Sequence, residues 1–145
     1  MKRKLDRVLR IRQLLEDLAQ MDFARQAAEL RSLEVAAAGQ RRRALAAQAE
    51  AWNVLGSEGT RGWLTGIADA EILAWKGGRL AALAALRRPE REAARGLLLA
   101  RRLDRRQVEI LAAAAARTEQ QQQIRREQKA VDDWFQRHTG RGPEE

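Results

Sequence analysis

The chain has 145 residues, with 28 Lys and Arg against 20 Asp and Glu, 4% aromatic residues, 2 Pro and no Cys. That length suits one domain, while the Ala-, Arg-, Leu-, Glu- and Gln-rich diet favours long helices over a sheet. The missing Cys rules out a disulfide framework and thiolate metal sites, and the net charge of +8 favours anionic partners.

A first long helix is expected over residues 3–52, where the only Gly is Gly39. Val8, Ile11, Leu15 and Leu18 alternate by threes and fours, as a coiled-coil seam does. Leu15, Ala19, Phe23 and Ala27 then follow by fours, a stutter that unwinds a supercoil locally. Asp6 with Arg10, Arg12 with Glu16, and Arg25 with Glu29 form i,i+4 charge pairs. Beyond Val35 the seam becomes Ala37, Ala44, Ala47 and Ala51, which lets helices approach closely but buries little apolar area. Arg41-Arg42-Arg43 reads as solvated surface rather than a nucleic-acid patch, since consecutive helical residues point in different directions.

Residues 53–88 read as a Gly- and Trp-rich turn followed by a short helix. Gly56, Gly59 and Gly62 with Asn53 and Ser57 break the first helix. Thr65-Gly66 or Asp69 caps the short helix through Ile72, Trp75, Leu80, Leu83 and Leu86, and Gly77-Gly78 bends it. Trp52, Trp63 and Trp75 with Leu64, Ile67 and Ile72 make either a hydrophobic knot closing the turn or an exposed docking patch. The glycines do not form a phosphate loop, because no Gly-Lys-Ser/Thr follows them.

The last long helix is expected over residues 90–138, opened by Pro89 with Glu90 and Glu92 in its first turn. Leu103, Ile110, Arg117, Ile124 and Val131 recur every seven residues, and Trp134 and Phe135 extend that stripe. Gly140 is placed to end the helix, leaving residues 139–145 as a tail. The single domain, 1–145, is thus expected to be all-α. Its architecture would be a long antiparallel two-helix coiled-coil hairpin with a short helical segment at the tip. In that arrangement Leu5, Val8 and Leu9 lie beside Trp134 and Phe135. Arg7, Arg10, Arg126, Lys129, Asp132, Asp133 and Arg137 gather at the open end.

No catalytic constellation stands out. His138 is alone, and Asp132-Asp133 diverge on a helix, so no enzyme activity, cofactor or metal is expected. Met1-Lys2-Arg3-Lys4 is basic like the start of a signal peptide, but Asp6, Arg7, Arg10 and Arg12 prevent an apolar region. No run approaches the ~18 apolar residues of a membrane span, so the chain reads as soluble and cytoplasmic.

Leu5, Val8, Leu9, Arg12 and Glu16 at one end resemble the opening pattern of the flagellar export protein FliJ family. Arg125, Arg126, Glu127, Gln128, Lys129, Asp132 and Arg137 at the other end are similar to the arginine-rich, Glu-Gln-Lys, Leu-Asp ending of that family. The chain departs from it in Val131, in the bulk of Trp134-Phe135 and in the Trp- and Gly-rich middle. The resemblance implies a non-enzymatic stalk of the flagellar type III export apparatus, peripherally associated with the inner membrane. Its open end would enter and activate the hexameric export ATPase. The middle, with Trp63, Leu64, Ile72 and Trp75, would face the membrane export gate, and the family also escorts export chaperones. The equivalent stalk of a virulence type III secretion system is a close alternative, and a basic coiled coil binding nucleic acid a more distant one.

Overall fold

A computed structural model describes residues 2–140. Among them every residue from Lys2 to Thr139 belongs to one helical element, α1 (Lys2–Thr139), and there is no strand. The expected all-α class is therefore present. The backbone leaves helical geometry inside α1 at a single residue, Gly59, with φ 74° and ψ −163°. A side chain is strongly disfavoured in that region of φ/ψ space, so glycine is the residue that fits. We call residues 2–58 the first arm of α1 and residues 60–139 the second.

Contacts group the chain into two compact units, Asp17–Ala100 and Met1–Glu16 with Arg101–Glu145. Within Asp17–Ala100 the arms run antiparallel. A Cβ on Gly66 would lie 3.2 Å from Ala51 Cα, and one on Gly77 would lie 3.3 Å from Gln40 Cβ. Further along, Arg87 approaches Glu29 at 3.8 Å and Arg88 approaches Glu34 at 3.4 Å. As the number rises on one arm it falls on the other.

The seam is built from rows repeating every seven residues. On the first arm of this unit one row is Ala19, Gln26, Leu33, Gln40, Ala47 and Val54, and the other is Phe23, Leu30, Ala37, Ala44 and Ala51. All are buried or partly buried. On the second arm the matching row is Trp63, Ala70, Gly77, Ala84, Arg91 and Leu98, again all withdrawn from solvent. Gly66, Leu73, Leu80 and Ala94 belong to the fourth row, in which Arg87 alone is exposed. Spacing by four and three in turn keeps one stripe of each arm facing the other over many turns.

Most of the fully buried members are small. Ala44, Ala51, Ala70, Ala84 and Ala94 are buried, and Leu30 is the one large side chain completely enclosed. Small side chains let the backbones approach closely, and Gly66 against Ala51 is the tightest example, where an added Cβ would meet Ala51 Cβ at 2.7 Å. They also withdraw little apolar area from water, so each layer contributes less than a Leu layer does. Gln26 Oε1, Gln40 Oε1 and Trp63 Nε1 are buried in this unit without a hydrogen-bond partner, which costs further stability.

Two expectations change here. The broad turn over residues 53–88 contracts to Gly59. Gly56, Gly62, Gly77 and Gly78 are all helical, and no separate short helix follows. Neither does the last helix start at Pro89, which lies inside the second arm. Proline removes one backbone hydrogen bond, but Pro89 and Ala85, whose carbonyl loses its donor, are both exposed, so water can take over. The same stretch is tied down by Arg87 to Glu90 at 2.9 Å and by the two cross-arm ion pairs. The tail residues 141–145 lie outside the described residues. Gly140 donates its N–H to the Gln136 carbonyl at 3.2 Å and does not take a positive φ.

Two substitutions check this account. Gly59→Ala forces a side chain into the disfavoured region and should lower unfolding stability in urea by about 1–3 kcal/mol. Pro89→Ala should act in the opposite sense, restoring a backbone hydrogen bond and raising stability by up to ~3 kcal/mol.

Candidate functional site

The unit formed by Met1–Glu16 and Arg101–Glu145 carries most of the residues singled out as a partner site. Its seam continues the same period with different chemistry. Leu5, Leu9, Arg12, Leu15 and Glu16 are the partly buried positions of the first arm, and Arg101, Asp104, Arg105, Val108, Glu109, Ala112 and Ala115 those of the second. Charged residues thus stand where the other unit has Ala and Leu. Arg12 Nη1 donates to Asp104 Oδ2 at 3.2 Å. Glu16, the least exposed carboxylate of the set, accepts a hydrogen bond from Arg105 and lies 3.6 Å from Arg102. The Arg105 guanidinium is held above its ordinary pKa, first by the hydrogen bond to Glu16 and then by that to Glu109. Arg12 and Glu16, four apart on one arm, therefore pair across to the other arm rather than with each other. The i,i+4 pair of Arg25 and Glu29 forms as expected at 3.1 Å, with Asp22 as a second partner of Arg25 at 2.8 Å.

These pairs fix which levels face one another. Counting back from Arg12 and forward from Asp104 by threes and fours brings Leu9 and Leu5 level with Val108 and Ala112. Past Ala115 every described residue, 116–140, is exposed. The expected juxtaposition of Leu5, Val8 and Leu9 with Trp134 and Phe135 does not occur. The physical reason is the pairing of Arg12 with Asp104, which sets the levels within this unit and leaves Trp134 and Phe135 exposed further along the helix.

Arg7 and Arg10 are accordingly separated from the rest of the expected cluster. They sit level with residues near 110, some sixteen residues or roughly 24 Å of helix before Arg126. Arg126, Lys129, Asp132, Asp133 and Arg137 remain together on the overhanging helix, all exposed. No ion pair within the described residues engages these five side chains. The apolar stripe expected to pack internally is open as well: Ile124 is 46% exposed, Val131 52%, and Trp134 and Phe135 54% each. The seven-residue row that pointed to a seam, Leu103 and Ile110 onward, lies on the outside too, at 63% and 62% exposure. The stripe actually buried, from Leu98 through Arg105 to Ala112, is less apolar, which is why spacing and hydropathy alone selected the wrong row.

The overhang ends in a small ring cluster. Trp134 meets Phe135 edge to face at 5.2 Å between centroids and stacks on His138 at 4.2 Å. His138 Nδ1 lies 2.9 Å from the Trp134 carbonyl oxygen, a hydrogen bond the ring donates in the Nδ1–H tautomer. This occupies the ring in closing the last turn. Among the described residues no group of three or more His, Cys, Asp or Glu converges to hold a metal ion. No helix among them is long and apolar enough to cross a membrane.

In Asp17–Ala100, Trp63 and Trp52 face each other across the turn with centroids 5.5 Å apart. Trp75 does not join them. It is exposed with Leu64 and Ile72, and Arg79 lies 5.2 Å over its ring. Of the four tip residues considered for a partner, Trp63 is thus partly buried in a structural pair and Leu64, Ile72 and Trp75 are exposed. An open groove of about 820 Å³ runs beside the seam, lined largely by Ala, including Ala38, Ala74 and Ala81, with Gly78. Glu34 and Arg88 on its wall pair with each other, and Arg41, Gln48 and Glu71 also line it.

Because every residue from 116 to 140 is exposed, removing residues 117–145 should leave the unfolding free energy of the paired arms within about 0.5 kcal/mol of the full chain. Circular dichroism on dilute protein checks this, with loss of helical signal in proportion to the residues removed.

No protein-family model matches this chain, and no curated protein or solved structure is detectably similar to it.

Proposed function

We propose that this protein is a non-enzymatic coiled-coil stalk of the type III export class, acting through its overhanging C-terminal helix on a hexameric export ATPase. The two arms form a coiled-coil hairpin in this reading, which the alternating four-and-three spacing of the seam supports. A period of seven against the 3.6 residues of a straight helix gives a left-handed supercoil.

The observation that carries the reading is the exposure of the overhang. Arg125, Arg126, Glu127, Gln128, Lys129, Asp132 and Arg137, on which the resemblance to the FliJ family rests, all lie in the exposed stretch. Most keep their charges unengaged, as residues do that wait for a partner. The ring contacts this helix with those charges and with the apolar stripe of Ile124, Val131 and Phe135. Arg7 and Arg10 stand apart from this surface and are left out of it. The exposed side chains Leu64, Ile72 and Trp75 are proposed to face the export gate, with Trp63 supporting them from its pair with Trp52. Binding to the ring and gate places the protein in the cytoplasm at the inner-membrane export apparatus. Export chaperones are a further class of partner in this reading.

Mixing the full chain with the cognate ATPase should raise both hydrolysis and ring assembly. A chain ending before Arg125 should lose the effect, and Arg126→Glu with Arg137→Glu should reduce it at least several-fold. An ATPase rate that does not respond to the full chain overturns the proposal.

A further inference from the structure

We infer that the overhanging helix is also a self-association site, on which a second copy of this chain docks antiparallel through the same segment. The apolar stripe there is Ile124, Val131 and Phe135, with Gln128 filling the remaining position in a spacing of four, three and four. A stripe of this width on a helix without a neighbour leaves its apolar groups in water, and pairing with a like helix covers them.

Charge selects the occupant and its direction. Arg125 and Asp132 each follow a stripe residue by one place, so both lie along the same edge of the stripe, two turns apart. In an antiparallel pair, Ile124 of one copy faces Phe135 of the other, and Gln128 faces Val131. That setting brings Arg125 of each copy beside Asp132 of the other, and the twofold axis makes the contact twice. A parallel pair would instead set Glu127 of each copy beside Asp132 of the other, like charges at both edges of the stripe.

The overall charge does not oppose this. The chain carries +8, but residues 116–140 hold five positive side chains, Arg117, Arg125, Arg126, Lys129 and Arg137, against four negative ones, Glu119, Glu127, Asp132 and Asp133. Five minus four leaves this segment close to neutral, so the positive excess lies elsewhere along the chain. Neither Arg125 nor Asp132 is engaged within the described residues. The association covers the surface that the proposed ATPase contact uses, so the two are mutually exclusive, but self-docking does not depend on that contact.

Sedimentation equilibrium over a range of concentrations tests this on the full chain. The apparent mass should climb from 16.4 kDa toward twice that value. Arg125→Asp or Asp132→Arg alone should weaken association about tenfold, and the two together should restore it, because the exchanged charges pair again. Circular dichroism must show unchanged helix in all three variants. The natural chain has no Cys, so cysteine pairs give a second readout. Ile124→Cys with Phe135→Cys should form disulfides between copies under mild oxidation, and Ile124→Cys alone should not. A monomer at every concentration overturns the inference. So does a dimer indifferent to the charge reversals, or ready crosslinking by Ile124→Cys alone.

Discussion

Gly59 sets the register on which the seam within Asp17–Ala100 depends. Its φ of 74° closes the helical ladder at one residue, without a long loop. Once the reversal is there, Ala51 must meet Gly66 and Gln40 must meet Gly77. In the other unit the pairing of Arg12 with Asp104 fixes the levels, and residues 116–140 are all exposed. The exposed stretch on the last helix therefore follows from where Arg12 and Asp104 meet.

The two units meet the same geometric demand with different chemistry. Asp17–Ala100 fills its seam with Ala, Gly and a few Leu, so its stability rests on close approach more than on apolar area. Met1–Glu16 with Arg101–Glu145 places Arg12, Glu16 and Arg105 in the seam and satisfies them by pairing across the arms, while Arg101 pairs with Asp104 on its own arm. Such pairs contribute modestly to stability at partial exposure. They do specify register, because a slip by one heptad would leave Glu16 without its arginines. A seam of small side chains tolerates sliding, and a charged layer resists it.

Much of the architecture was legible in the sequence. Helical content followed from composition, and the Ala positions 37, 44, 47 and 51 fall on the seam where spacing put them. Two things were not legible. Gly59 is one of three closely spaced glycines, and composition does not say which one leaves the helix; Gly62 and Gly66 are needed instead for close approach to the opposing arm. Pro89 looked like a helix start because proline usually is one, yet an exposed carbonyl four residues earlier makes an internal proline tolerable. Both errors shifted the turn toward the middle of the chain and made the arms look equal. Equal arms would have hidden the apolar stripe of Ile124, Val131, Trp134 and Phe135. The Arg and Asp residues flanking it lie together and exposed, but Arg7 and Arg10 were grouped with them only because of the mistaken register.

The functional reading inherits its geometry from that register, so the register is the claim to test. A Cβ at Gly77 would stand 3.3 Å from Gln40 Cβ, close to the spacing of a disulfide. Gln40→Cys with Gly77→Cys should therefore oxidise to a disulfide within one chain, detected by a mass loss of two hydrogens at monomer mass and by a shift on reduction. If these two thiols stay free under conditions that oxidise a flexible control pair, the arms do not meet where a reversal at Gly59 requires, and the account fails.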